Sequence, residues 1–173
     1  MTAAAPGDQV RVTVSVEVPI AEAFRIFTEE IDQWWRRGRR FRMAEGERGF
    51  IRLEPGIGGR LFESFERGGA PVVVETGRVI AWDPPRHLAF EWRAVNFAPT
   101  ELTTVEVAFV DRGDATDVTV LHRGWASLPA DHPVRHGADV PRFIRTMGLW
   151  WGDLLTSLRL RALQGTGSGV VSI

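Results

Sequence analysis

The sequence predicts an α+β fold: a curled antiparallel sheet of about six to seven strands wrapped around a long C-terminal helix, with a short helix pair after the first strand. Apolar and polar residues alternate near the start of the chain and over much of residues 50–123. Short turns join the later strands, which favours antiparallel pairing. Apolar residues recur at helical spacing after the first strand and again near the end.

The elements are predicted in the following order. Five valines alternate with polar residues over 10–18 and indicate the first strand. Pro19 then opens a helix that reaches Trp34, with an expected break near Glu30. Gly77 is a candidate β-bulge. Residues 125–141 are predicted to be irregular, and the last element is a helix over 143–163. The remaining predicted strands are 50–53, 61–65, 72–82, 88–92, 103–110 and 116–123.

The composition excludes several kinds of chemistry. The 173 residues include no Cys, Lys or Tyr, so all 21 basic residues are Arg. Thiol nucleophiles, disulfides and Cys-ligated metals are excluded, as are Schiff-base lysines and the lysine of a P-loop. A net charge of −1 argues against nucleic-acid binding through bulk positive charge.

The chain is predicted to hold one domain over residues 10–164, between a flexible N-terminus (1–9) and a flexible, glycine-rich tail (165–173). The first ten residues have neither the basic cluster nor the apolar run of a signal peptide. No stretch is apolar enough to span a membrane. We therefore expect a cytoplasmic protein.

Several local motifs accompany this order of elements: the aromatic pair Trp34-Trp35, a Gly-Gly turn in 55–60, Gly77 leading into 83–92, residues 116–124 with His122, and residues 148–155. Together they resemble the helix-grip fold of the START superfamily, also called SRPBCC, which includes the birch-pollen allergens. They are similar to its bacterial Aha-type branch, which is named for activators of the heat-shock protein 90 ATPase. The resemblance covers about residues 10–164.

The resemblance implies binding or transport of a small hydrophobic ligand in a cavity between the sheet and the C-terminal helix. Two alternatives remain: a protein-binding module that activates a chaperone, heat-shock protein 90, and a cyclase, dehydratase or hydrolase that uses the same cavity. Eukaryotic activators carry an extra N-terminal domain, which we do not expect here because the first strand begins near Val10. We expect binding rather than catalysis, no cofactor, no nucleic-acid partner, and a monomer or homodimer.

The alternation of apolar and polar residues along each strand predicts which side chains turn inward toward the cavity. The alternative is a filled core, in which these side chains pack against one another. Gly148 and Gly152 lie four residues apart on the last helix and either allow close packing or leave space for a ligand. The predicted cavity residues are Trp35, Leu61, Phe65, Phe90, Trp92, Val107, Val120, His122, Trp151 and Leu155.

His122 and Glu63 are the two polar residues that the alternation turns inward, and they are the candidate acid and base if the protein is an enzyme. The alternative is structural: a His bonded to a neighbouring carbonyl, or a Glu at the sheet edge reaching water.

Three other segments carry residues that bind metals, phosphates or anions in other proteins. The His-x3-His spacing of His132 and His136 is interrupted by Pro133 and Gly137, so no metal site is predicted. Residues 55–60 lack the spacing of a phosphate loop and favour a hairpin turn. Five arginines at 36, 37, 39, 40 and 42 could meet RNA, an acidic protein or an anionic ligand, but neighbouring acids (Glu29, Glu30, Asp32, Glu45 and Glu47) favour a solvated loop.

Overall fold

The structure is a computed structural model that describes residues 7–44, 48–94 and 96–166. Most of both predicted flexible ends, residues 1–6 and 167–173, lies outside these ranges, as do Glu45 and Glu47. The flexibility of the ends and the boundaries of the single domain therefore stay predictions.

The described strands form one antiparallel sheet with the order β1-β7-β6-β5-β4-β3-β2. Consecutive strands from β2 to β7 are neighbours, joined by short turns except between β5 and β6, and β1 closes onto β7. Residues 55–59 make the turn between β2 and β3, as predicted. The strands are β1 (Gln9–Val16), β2 (Phe50–Leu53), β3 (Arg60–Arg67), β4 (Ala70–Asp83), β5 (His87–Trp92), β6 (Thr103–Asp111) and β7 (Thr116–Arg123).

The longest strand, β4, bends the sheet. Its register shifts at Thr76 against β3 and at Ile80 against β5, so each of these residues is an extra one in the ladder. Such bulges bend a strand and increase its twist. The bulge predicted at Gly77 lies one residue earlier, at Thr76, whereas Gly77 itself pairs with Leu61 and Trp92. Gly77 is instead a point of close backbone approach: a Cβ atom on that residue would lie 2.0 Å from the backbone oxygen of Glu91. The curled sheet thus depends on a residue without a side chain.

The helices are α1 (Ile20–Glu29), α2 (Ile31–Trp34) and α3 (Val140–Thr166), and the break expected near Glu30 is confirmed. The segment before α3 contains two short 3₁₀ turns, Trp125–Ser127 and Pro133–Arg135. Helix α3 begins earlier than predicted because Pro141 fits in its first turn. The N–H groups there have no partner within the helix, so proline, which lacks one, breaks no hydrogen bond. No helix in the described ranges is long and apolar enough to cross a membrane.

The concave face of the sheet is filled along most of its length. Phe24 and Phe27 of α1 contact the Phe109 ring of β6, with ring centroids 5.1 and 5.7 Å apart. Helix α3 adds a second row of buried side chains, which are Phe143, Met147, Trp151, Leu154, Leu155, Leu158 and Ala162. The predicted curled sheet with a long covering helix is confirmed, and its middle is a packed core.

Candidate functional site

A cavity of about 550 Å³ lies at one end of this core. Its walls come from the N-terminal part of α3, the adjoining parts of β3, β4 and β5, the loop after α2, and the 3₁₀ turn at Pro133–Arg135. Its volume is within the range of small-molecule sites. It is lined by Trp35, Arg39, Arg40, Phe41, Arg42, Met43, Ile51, Glu63, Thr76, Trp92, Arg93, Ala94, Val134, Arg135, His136, Ala138, Arg142, Phe143, Thr146, Met147 and Trp150.

Aromatic rings make up much of the wall. The Trp150 ring stacks on Phe41 at a centroid distance of 5.8 Å and meets the edges of Trp35 and Trp92 at 5.7 and 6.3 Å. The fifth ring, Phe143, lies about two helical turns before Trp150 on α3. These rings offer flat apolar surface with fixed orientation, because each is held by its neighbours.

Of the ten predicted cavity residues, Trp35 and Trp92 line the cavity. The other eight are buried without lining it: Leu61, Phe65, Phe90, Val107, Val120, His122, Trp151 and Leu155. Their inward direction agrees with the alternation, but side chains of α1 and α3 fill the space that they face. Over this part of the sheet the filled-core alternative describes the structure. Gly148 and Gly152 do not line the cavity either.

His122 is fully buried, with 0% exposure, in a hydrogen-bond chain that satisfies both ring nitrogens. The Trp151 indole N–H donates to Nδ1 at 3.1 Å, so Nδ1 is an acceptor and the ring proton sits on Nε2. Nε2 then donates to Oγ1 of Thr103 at 2.7 Å, and that hydroxyl donates to the Trp92 carbonyl at 3.0 Å. Burial lowers the pKa of His122 to about 3, so the ring is neutral at neutral pH.

Glu63 lines the cavity, but backbone amides engage its carboxylate. Its two oxygens accept from the N–H groups of Met43 at 2.9 Å and Ala44 at 2.8 Å, which fastens the loop after α2 to β3. Strands β4, β5 and β6 separate it from His122 in the sheet. The structure does not bring these two residues together as an acid–base pair.

The arginine-rich loop is more than a solvated surface. Arg42 is 5% exposed, and its guanidinium donates to the carboxylate and carbonyl of Asp32 and to the carbonyls of Trp35 and Arg36. The prediction of a solvated loop is therefore wrong for Arg42, because local sequence cannot show a side chain folding back under its own loop.

The same loop is also tied to α3. Arg40 pairs with Asp153 at 2.7 Å, and the Trp150 indole N–H donates to the Arg40 carbonyl at 2.8 Å. Arg36 lies 3.9 Å from the same carboxylate. These contacts hold the loop across one side of the cavity.

The His-rich segment before α3 is structural in part. His132 caps the Pro133–Arg135 turn by accepting the Val134 N–H at 3.1 Å, and its Nε2 contacts Glu101 at 2.9 Å. The backbone N–H of Ala98 and then His132 hold the pKa of Glu101 below its usual value. His136 lines the cavity. Within the described ranges, no group of three or more His, Asp or Glu side chains is placed to hold a metal ion.

Sequence reasoning missed Phe143, Trp150, Arg135 and Arg142 as lining residues. The predicted cavity residues include Trp151 and do not include Trp150. The two exchange roles because Trp151 turns toward β7 and His122. Adjacent residues on a helix point in different directions. The pair Trp150-Trp151 was therefore the one sequence signal that a Trp side chain of α3 would face away from β7.

A second cavity, of about 790 Å³, lies between α1, β2 and the Pro84-Pro85 turn. Its wall includes Phe24, Phe50 and Trp82. It has these three aromatic rings in its wall against five in the first cavity, so the first is the better candidate site for an aromatic ligand.

Comparison with known proteins agrees with the fold. The family model described as "Activator of Hsp90 ATPase homolog 1-like protein" matches residues 17–146. No curated protein sequence matches the chain.

Similar solved structures include a Nitrosomonas europaea protein (TM-score 0.62, 14% identity, covering 95% of this chain and 99% of that one). Another is a Staphylococcus aureus protein of unknown function (TM-score 0.64, 13% identity, 92% and 97% covered). A third is an HSP90 activator from Plasmodium falciparum (TM-score 0.57, 16% identity, 88% and 94% covered). At these identities the likeness concerns the fold. The chain belongs to the Activator of Hsp90 ATPase homolog 1-like family, within the START/SRPBCC superfamily.

Proposed function

We propose that the protein binds a small, largely aromatic or apolar molecule in the 550 Å³ cavity. The observation that carries this proposal is the wall of five aromatic rings around a space of ligand size. Such a wall stabilises a ligand by removing apolar surface from water, at about 25 cal/mol per Å² buried. The core beside it is already packed, so the cavity is a local feature and not a general looseness of the interior.

The enzyme alternative depends on His122 and Glu63 as acid and base, and neither residue is placed for that role. Both ring nitrogens of His122 are hydrogen-bonded, and the residue does not line the cavity. Burial lowers its pKa to about 3, so the ring is neutral at neutral pH. Glu63 is held by two backbone amides. We therefore favour binding over acid–base catalysis by this pair.

The binding proposal is tested with N-phenyl-1-naphthylamine, a neutral fluorescent probe. We expect one molecule to bind per chain with a Kd in the micromolar range, about −8 kcal/mol, and to raise the melting temperature. Trp150→Leu should weaken binding about fivefold or more by removing ring contact. Trp82→Leu, which alters the second cavity, is the matched control and should leave the affinity unchanged. Weakening by the control alone would assign the probe to the second cavity and contradict the proposal.

A second candidate function is activation of a heat-shock protein 90 ATPase, which the family model favours. It is tested by the ATPase rate of a bacterial heat-shock protein 90 with and without the chain. Stimulation that persists in Trp150→Leu would indicate an action through the surface, independent of the cavity.

A further inference from the structure

We propose that the ligand of this cavity carries an anionic group, and that Arg135 anchors it. This inference rests on the proposed function, because it names the chemistry of the molecule that the cavity would hold. The ligand class is an aromatic or apolar acid in which one end packs against rings and the other presents negatively charged oxygens.

The charge balance of the wall is the first observation. Among the described lining residues, Glu63 is the acidic one, and its oxygens already accept two backbone N–H groups. Two arginines of the wall have counter-charges outside it, because Arg40 pairs with Asp153 and Arg42 with Asp32. The wall still carries more basic than acidic side chains, and a positive potential in a space of low polarity attracts an anion. The arginines that line the cavity are Arg39, Arg40, Arg42, Arg93, Arg135 and Arg142.

Arg135 differs from the other buried arginine of the wall in its partners. Arg42 pairs with the Asp32 carboxylate at 2.6 Å. Arg135, which is 3% exposed, donates only to the neutral carbonyls of residues 125, 128 and 129, at 2.8 to 3.3 Å. No carboxylate in the described part of the chain pairs with it. A buried guanidinium without a counter-charge is unfavourable, and an anionic ligand would supply that charge.

One nitrogen of Arg135 also has an unused donor. Nη1 is buried and has no hydrogen-bond partner among the described residues, while Nε and Nη2 are both engaged. A charged N–H to a carboxylate or sulfonate oxygen is among the stronger hydrogen bonds in proteins. The unmade bond and the unpaired charge belong to the same group, so both point to an anionic acceptor.

The position of Arg135 is set before any ligand binds. Its Cζ lies 4.9 Å from the centre of the Phe143 ring, and three carbonyls hold the other side of the guanidinium. His132 caps the short turn that carries it. A fixed donor loses little freedom on binding, which favours affinity. Because Phe143 is also part of the aromatic wall, the anion site and the ring surface adjoin.

The experiment uses two probes that share one skeleton: neutral N-phenyl-1-naphthylamine and its 8-sulfonate, which carries one negative charge. We expect the wild-type chain to bind the sulfonate about tenfold more tightly, as a charged hydrogen bond allows. Arg135→Gln should remove most of this difference, measured as the ratio of the two affinities in the same variant. Arg159→Gln, an exposed α3 arginine outside the cavity, is the matched control and should retain the preference.

Arg135→Gln also removes bonds to three carbonyls, so two further measurements do not depend on its folding. Arg142→Gln changes an exposed lining side chain and should weaken the sulfonate alone, by about two- to threefold. In the wild type, raising salt from about 50 to about 500 mM should weaken the sulfonate and not the neutral probe. Equal affinities for both probes, unchanged by Arg135→Gln, would overturn this inference and leave the proposed function standing. Failure of the wild type to bind either probe would overturn the proposed function itself.

Discussion

At the scale of single residues, His122 illustrates how a polar side chain that turns inward can be structural. Its ring links Trp151 of α3 to Thr103 of β6, so one side chain joins the helix to two strands. The bonds require the neutral Nε2–H tautomer, because a proton on Nδ1 would face the indole N–H. Burial favours that neutral form and lowers the pKa.

His122 should make the protein sensitive to acid. Between the ordinary pKa of 6.5 and the folded value of about 3, the unfolded chain binds one more proton at this residue than the folded chain. The free energy of unfolding should therefore fall as pH is lowered through this window, by up to about 1.4 kcal/mol per pH unit.

His122→Gln should be less stable than wild type at neutral pH by about 1–3 kcal/mol, with a shallower fall in acid. Urea unfolding across this pH range measures both, with half-buried His87→Gln as control. Parallel wild-type and His122→Gln curves would contradict the assignment.

Arg42 should contribute more to stability than its exposed neighbours. Arg42→Gln leaves Asp32 and two carbonyls without their main donor, and should lower the free energy of unfolding by about 2–4 kcal/mol. Arg40→Gln breaks an exposed pair with Asp153 and should cost less than about 1 kcal/mol. Chemical denaturation compares the two. Equal losses would mean that burial of Arg42 does not matter.

At the scale of elements, the glycines of β4 and α3 have different roles. Gly77 lies next to the bulge at Thr76 and close to the Glu91 backbone of β5, so a side chain there has no space. Among the described residues, and apart from the helix's own backbone, no atom lies within 4 Å of a Cβ added at Gly152, and the nearest to one added at Gly148 is 3.9 Å away, on Val10. The α3 glycines therefore do not serve close packing. They lower the helix propensity without a packing gain.

Two alanine substitutions should consequently have opposite effects. Gly77→Ala should destabilise the protein by more than about 2 kcal/mol, because the strand pairing must move to admit the methyl group. Gly152→Ala should stabilise it by up to about 1 kcal/mol, the difference in helix propensity. Thermal unfolding measures both. A destabilised Gly152→Ala would reveal a role for the gap beside α3 that the geometry does not indicate.

At the scale of the whole molecule, α3 has two functions along its length. Its middle packs Trp151 and Leu155 into the core, while its first three turns form one wall of the cavity. The loop after α2 forms the facing wall and is bonded to both β3 and α3. Docking of α3 therefore completes the core and the cavity together.

Trp151→Ala should cost about 3–5 kcal/mol, as large aromatic truncations in a core do, and should also lower probe affinity because α3 carries cavity residues. Leu149→Ala, at an exposed position two residues earlier, is the control and should change stability by less than about 0.5 kcal/mol. Denaturant unfolding and probe titration on the same samples separate the two effects. A loss under about 1 kcal/mol for Trp151→Ala would contradict its place in the core.

The fold could be predicted further than the site. Periodicity located each strand and helix to within a few residues and turned the right side chains inward, including His122 and Trp151. It placed only Trp35 and Trp92 of the ten predicted residues at the cavity. Neighbouring residues determine whether a side chain points inward. Whether it then faces empty space or another side chain depends on segments that are distant in the chain.

By itself the sequence determined the order of elements, the antiparallel sheet, a bulge to within one residue of Gly77 and the family resemblance, because each is set by neighbouring residues and their spacing. Only the tertiary structure decided that α1 and α3 fill the middle of the sheet, leaving the cavity at one end. It also decided that Arg42 finds a carboxylate, whereas Arg135 has none among the residues that the structure describes. Those outcomes depend on contacts between residues that are far apart in the chain. Such contacts leave no periodic signal in the sequence.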